Sequence, residues 1–179
     1  MLKSCYLILL SLFLSNSVIA QTPQFPIVKG FGGIYKIDNV SLPLEGMDGE
    51  FKIVIDLKSG PSNKSELNSA LNNVARIMNL HGLAGVPKEK LHIVVVGHAL
   101  ATQSLLTNEG YNRKNGVDNP NLALISALKE AGVKVRICGQ SLIGRGFSQD
   151  EVNPEVSIRL SMITEVTRLV REGYQLLIF

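Results

Sequence analysis

The sequence predicts an α/β fold: a single-domain, three-layer sandwich built on a mostly parallel five-stranded sheet. Two observations predict it directly. From Phe51 onward, short apolar runs rich in β-branched residues alternate with longer segments of helical period, in the order βαβαβαβαβ. The run Leu91-His-Ile-Val-Val-Val96 is also apolar enough to be covered on both faces, as parallel strands with right-handed crossovers require. A third observation fixes the domain count, because no repeat, low-complexity tract or linker divides this unit.

The elements follow in order. Phe51-Lys-Ile-Val-Ile-Asp56 reads as the first strand. Asn63 and Glu66 resemble a capping box, after which Leu67, Leu71, Val74 and Met78 recur at helical spacing up to a stop at Gly82. Leu91–Val96 is the second strand. Between Gly97 and Asp118 the sequence predicts a short helix over Ala99–Leu106, then an exposed loop rich in Asn and Gly. Asn119-Pro120 opens another helix, with Leu124, Ile125 and Leu128 inward and Gly132 at its end. Val133–Cys138 is the third strand. Ser148 and Glu151 cap a short helical turn that Pro154 ends. Val156, Ile158, Leu160 and Met162 alternate with polar residues, which predicts a fourth strand. Ile163, Val166, Leu169 and Val170 fit a helix closed by Gly173, and Tyr174–Phe179 is the final strand.

Residues 1–20 read as a cleaved signal peptide. Lys3 supplies the positive start, Tyr6–Phe13 the apolar run, and Val18 and Ala20 the small residues before a cleavage site. The apolar run is short against the roughly 20 residues of a membrane span. The expected location is periplasmic or secreted, with no membrane anchor after cleavage. Residues 21–49 form an N-terminal arm rich in Pro and Gly, and residues 50–179 the α/β domain. The arm is open to three readings: packed on the domain, packed on a neighbouring subunit, or partly disordered. The formal charge of +3 falls by one with Lys3, and the remaining basic residues are scattered. That balance argues against nucleic acid and against an acidic membrane surface as partners.

Cleavage removes Cys5 and leaves Cys138 as a solitary thiol, with no intramolecular disulfide available to it. It sits between the apolar run Val133–Ile137 and the glycine-punctuated stretch Gly139–Gly146. The end of a parallel strand, just before a turn into helix, is where ligands and reactive groups collect in α/β proteins. Along the strand Lys134, Arg136 and Cys138 share one face. A helical turn over Gln140–Ile143 would aim free N–H groups back at the sulfur, and Arg136 and Arg145 are the nearby cations in sequence; such groups stabilise a thiolate. Three readings stand at this point: a buried inert thiol, an intermolecular disulfide, or a reactive sulfur.

Other signatures fail. Gly60-Pro-Ser-Asn-Lys-Ser65 lacks the glycine that a phosphate loop places before its lysine. No dinucleotide fingerprint follows a strand, and no nucleophile elbow occurs. His81, His92 and His98 have no metal-ligand spacing with one another or with Cys138. No cofactor and no metal are expected. The Asn-x-Ser sequences at Asn39 and Asn63 matter only in a glycosylating host.

Ile137-Cys-Gly-Gln-Ser-Leu-Ile-Gly-Arg-Gly146, preceded by Glu130-Ala-Gly-Val-Lys-Val135 and followed by Asp150-Glu151, resembles the cysteine segment of the DsrE family. The resemblance extends over Phe51–Asp56, Asn73–Leu80, Val94–His98, Asp118-Asn-Pro-Asn121 and Gly173-Tyr174. It is to the exported single-domain branch, with a flavodoxin- or Rossmann-like topology. The resemblance implies that Cys138 matches a sulfur-bearing cysteine that carries a persulfide in sulfur relay, and that Arg145-Gly146 matches the pair after it. It also implies a homo-oligomer, a trimer or hexamer, and a thiol or sulfur-carrier partner protein. His98 falls near the end of the second strand, either as a proton donor or orienter at that edge or as a loop histidine. The arm and the export signal depart from cytoplasmic sulfur-relay subunits. The rival reading is a non-catalytic oligomeric module with a structural or redox-sensing cysteine.

Overall fold

The computed structural model describes residues 21–179 and contains one sheet of five strands: β1 (Phe51–Leu57), β2 (Leu91–Gly97), β3 (Lys134–Cys138), β4 (Ser157–Arg159) and β5 (Gln175–Ile178). They lie in the order β4-β3-β2-β1-β5, and every pairing is parallel. The helices are α1 (Ser69–Leu83), α2 (Asn108–Asn115), α3 (Leu122–Glu130), α4 (Gly139–Gly144) and α5 (Met162–Arg171). The predicted signal segment, with Cys5, lies outside the described residues.

The strand order explains the layers. From β1 to β4 the chain steps in one direction across the sheet, so right-handed crossovers keep α1 and α3 on one face. It then returns past three strands to place β5 beside β1, and the same handedness puts α5 on the opposite face. Alternation within the strands matches. Ile53, Ile55, Ile93, Val95, Val135 and Ile137 join Leu71, Val74, Met78, Leu124, Ile125 and Leu128 in the larger core. Val54, Val94 and Val96 meet Leu169 of α5 in the smaller one.

The arm packs on α1. Asn79, fully buried in that helix, accepts from the Ile27 and Val28 N–H groups at 2.9 and 2.8 Å. Its amide donates to the carbonyls of Val28, Phe31 and Gly32. Gly32 has a φ of +60°, and a Cβ there would lie 2.2 Å from the Arg76 nitrogen, so only glycine lets the arm approach α1 this closely.

Four elements differ from the sequence expectation, each for a local reason. The fourth strand is only Ser157–Arg159: Leu160 is exposed, and the Ser161 side chain accepts from the Thr164 N–H, starting α5 at Met162. A good N-cap thus ends the alternation before it runs its course. Within α5, Leu169 is buried, whereas Ile163 and Val170 are exposed and Glu165 is buried instead. The stretch expected as a loop after Leu106 contains α2, capped by Thr107 and closed by Gly116 at φ +74°. Finally, α1 is capped by buried Asn68 and not by Asn63, which makes only a local turn with Ser65 and Glu66. The Ser148–Glu151 capping box is present as predicted. There the Arg113 guanidinium, donating to Glu151 at 2.6 and 2.9 Å, holds that carboxyl down to about 2, helped by Ser148.

Candidate functional site

The carboxyl ends of β1, β2, β3 and β4 gather at one edge of the sheet, and Cys138 is the last residue of β3. It is also the N-cap of α4, in the position usually held by Ser, Thr, Asp or Asn. The Ser141 N–H donates to its Sγ at 3.4 Å. The turn is tight because Gly139 admits it: a Cβ there would stand 2.9 Å from the Arg159 carbonyl oxygen on β4. Cys138 is the one free cysteine among the described residues, and it is 4% exposed.

Two opposing effects act on this thiol. Burial, the larger single effect, pushes its pKa up. Against it work the N–H and hydroxyl of Ser141 and the N–H groups of Met162 and Gln140, and together they bring the thiol below its ordinary value. Met162 is the first residue of α5, so the sulfur lies where the starts of two helices converge. Ser141 Oγ accepts from the Ala99 N–H at 3.2 Å, which leaves its own proton to point at the sulfur. A stabilised thiolate is the nucleophilic form of cysteine.

Ala99 belongs to the segment after β2, a 3₁₀ helix over Ala99–Leu105, and its φ is +48°. A non-glycine residue held in that region signals a locally constrained backbone. Buried amides provide the constraint. Asn68 donates to Ser104 Oγ and to the Ser59 carbonyl, and Asn119 donates to the Ser104 and Leu106 carbonyls. Asn121 accepts from the Asn68 N–H and donates to Asn119. The Asn-Pro-Asn sequence is therefore a clamp on the segment that presents Ala99 to Ser141.

The structure sorts the predicted site residues. His98 follows the end of β2 as expected, one position beyond the Gly97–Ile137 pair, level with Cys138 on the next strand. Its Nε2 stands 2.6 Å from Asp56 Oδ1 without a well-formed hydrogen bond, and both side chains are largely buried. Arg136 shares the Cys138 face of β3, yet its guanidinium is engaged by Glu165 of α5. Burial and the charges of Arg159 and Arg168 lower its pKa, but a guanidinium stays cationic at neutral pH. Arg145 is exposed at the end of α4. The groups acting on the sulfur are thus helix N–H groups and a hydroxyl.

Sequence reasoning missed four residues at this edge. Asp56 is a charge at the carboxyl end of an apolar strand, a signal present in the sequence. Ser141 carries a weak signal, as the third residue after a capping cysteine. Arg159 pairs in register with Cys138, and Glu165 is buried in α5; both depended on knowing that β4 lies beside β3. No group of three or more His, Cys, Asp or Glu side chains comes together as a metal site among the described residues.

Comparison with known proteins adds a family and two structures of similar fold. Residues 52–179 match the DsrE/DsrF-like family. A protein of unknown function from Methanobacterium thermoautotrophicum, MTH1491, has a similar structure with a TM-score of 0.54, at 19% identity over 73% of this chain and 100% of its own. The YchN protein of E. coli is similar with a TM-score of 0.52, at 22% identity over 72% of this chain and 99% of its own. Both likenesses concern the fold. No curated protein sequence matches the chain.

Proposed function

Since this chain belongs to the DsrE/DsrF-like family, which is associated with sulfur relay and whose members oligomerise, we propose that it is an exported, homo-oligomeric sulfur carrier that holds sulfane sulfur as a persulfide on Cys138. The observation that carries this reading is the placing of Sγ as an N-cap, where helix N–H groups and the Ser141 hydroxyl overcome the effect of burial on the thiol. In loading, the Cys138 thiolate attacks the outer sulfur of a sulfane donor. A new S–S bond forms, the donor's S–X bond breaks, and X departs with the electron pair. In unloading, an acceptor thiolate attacks the terminal sulfur and Cys138 leaves as the thiolate. The same N–H groups stabilise the anion in its free and persulfide forms. His98, held against Asp56 and level with Cys138 on the next strand, is the candidate proton donor to a leaving group.

Incubation with a sulfane donor followed by intact-mass measurement tests this. The expected result is an adduct of about 32 Da, one sulfur atom, that reduction removes and that Cys138→Ser does not form. Its absence from the native protein refutes the reading. One observation favours a second reading, a non-catalytic oligomeric module: the thiol is only 4% exposed. Under it, Cys138 reacts with labelling reagents only on unfolding.

A further inference from the structure

Around Cys138, on the face covered by α5, three guanidinium groups surround one buried carboxylate. Glu165 receives Arg136 on Oε1, Arg168 at 2.9 Å on the same oxygen, and Arg159 at a longer 3.8 Å. Arg168 is also taken up by Glu172. Two carboxylates therefore face three cations, and Arg159 is the least compensated, with no hydrogen bond from its side chain among the described residues. Its side chain is 41% exposed, and its Cα partner across the ladder is Cys138. Beneath it, the Arg136 side chain is nine-tenths buried and its Nε–H has no partner. A buried, unsatisfied guanidinium N–H beside surplus positive charge is what a small anion satisfies.

From this cluster, and resting on the persulfide reading above, we infer that the donor at Cys138 is a sulfur oxyanion: a sulfane sulfur bonded to a sulfonate, of which thiosulfate is the smallest. Arg159 pairs with the sulfonate oxygens, and the outer sulfur is presented to Sγ. The Cys138 thiolate bonds to that sulfur, the S–S bond of thiosulfate breaks, and its electron pair leaves with sulfite, giving the Cys138 persulfide. The charge of minus three on the reactants is carried by persulfide and sulfite, and no oxidant is needed. Glu165, 3.8 Å from Arg159 and also the partner of Arg136, is the positioning residue that sets where the Arg159 guanidinium lies.

Two alkylating agents of nearly equal size, anionic iodoacetate and neutral iodoacetamide, test the charge preference without any sulfur donor. The measured quantity is the ratio of their rates at Cys138, divided by the same ratio for free cysteine. It should exceed one by about threefold or more at low ionic strength and fall toward one in 1 M salt, as screening of a cation requires. Arg159→Gln should bring it to one, while Arg159→Lys should keep most of it. A ratio at or below one in the native protein, or one unmoved by Arg159→Gln, overturns the inference. The adduct of about 32 Da with thiosulfate, compared with a neutral organic trisulfide, separates the two proposals. If the trisulfide loads Cys138 and thiosulfate does not, the oxyanion donor is wrong and the carrier stands. If neither loads it while the rate ratio stays high, the persulfide reading and the donor assignment both fall, and an anion site remains.

Discussion

Ser141→Ala isolates one of the groups that stabilise the thiolate. The hydroxyl accepts from Ala99 and donates toward Sγ, whereas the N–H groups of Ser141, Met162 and Gln140 belong to the backbone and survive the substitution. A hydroxyl hydrogen bond to sulfur is a weak one, and a typical intramolecular hydrogen bond contributes about 0.5 to 1.5 kcal/mol net. At about 1.4 kcal/mol per pH unit, its loss raises the thiol midpoint by roughly 0.4 to 1 unit. The sign follows from the direction of the native shift. Folding lowers the thiol's value, so Cys138 contributes stability above the unfolded thiol's value, and this contribution is lost as pH falls through the folded value. Without the hydroxyl the folded value rises, and the window narrows from below. The assay is the rate of iodoacetamide alkylation against pH, with thermal melts as a control on folding. The native midpoint should lie below that of a free thiol. The variant's should lie above the native one, with a rate at neutral pH about threefold to tenfold lower. A midpoint that stays put or falls in Ser141→Ala would refute the hydrogen-bond account of the thiolate.

Glu165→Gln leaves the buried Arg136 cation without its counter-charge, and removal of one partner of a buried pair costs about 3–5 kcal/mol. Urea denaturation should show the midpoint falling accordingly; a loss under about 1 kcal/mol would mean that water or another group already satisfies Arg136. Asn79→Ala strips the arm of five hydrogen bonds to one side chain and should release residues 21–49 to limited proteolysis while the sheet domain stays resistant. An arm that remains protected would show that Val28 and Ile34, both buried, hold it without the amide.

The legible part of this protein was the part written by periodicity. Leu71, Val74 and Met78, and Leu124, Ile125 and Leu128, recur at helical spacing and are the residues buried on α1 and α3. The strand runs were equally plain because parallel strands covered on both faces have little choice but apolar residues. What failed was decided by caps. Ser161 overrides the apparent alternation of Val156–Met162, and Thr107 organises a polar stretch into α2 because its helix needs only Tyr111 on the core. Asn68 lay five residues beyond the better-looking Asn63, and its advantage is tertiary: it reaches Ser59 and Ser104, which no local pattern displays. Cys138 was legible as a strand end. Its neighbours Arg159 and Glu165 were not, because strand order alone brings them there.

The structure divides two tasks that sequence proximity merges. Arg136 lies two residues from Cys138, which suggests a cation stabilising the thiolate, yet it is spent on Glu165. Stabilisation of the sulfur falls instead to short-range dipoles, three N–H groups and one hydroxyl, fixed by the backbone of two helices. Dipoles in contact with a buried atom are little affected by added salt, whereas a half-exposed guanidinium such as Arg159 is screened over about 8 Å at physiological ionic strength. The thiol's nucleophilicity and its choice of partner therefore rest on different physics. Salt that abolishes a preference for anions should leave the alkylation midpoint near its low-salt position. Arg159→Gln should likewise change which reagents reach the sulfur more than how readily the sulfur ionises. Such a division suits a carrier thiol, which needs its anion stabilised before and after the donor's charge has come and gone.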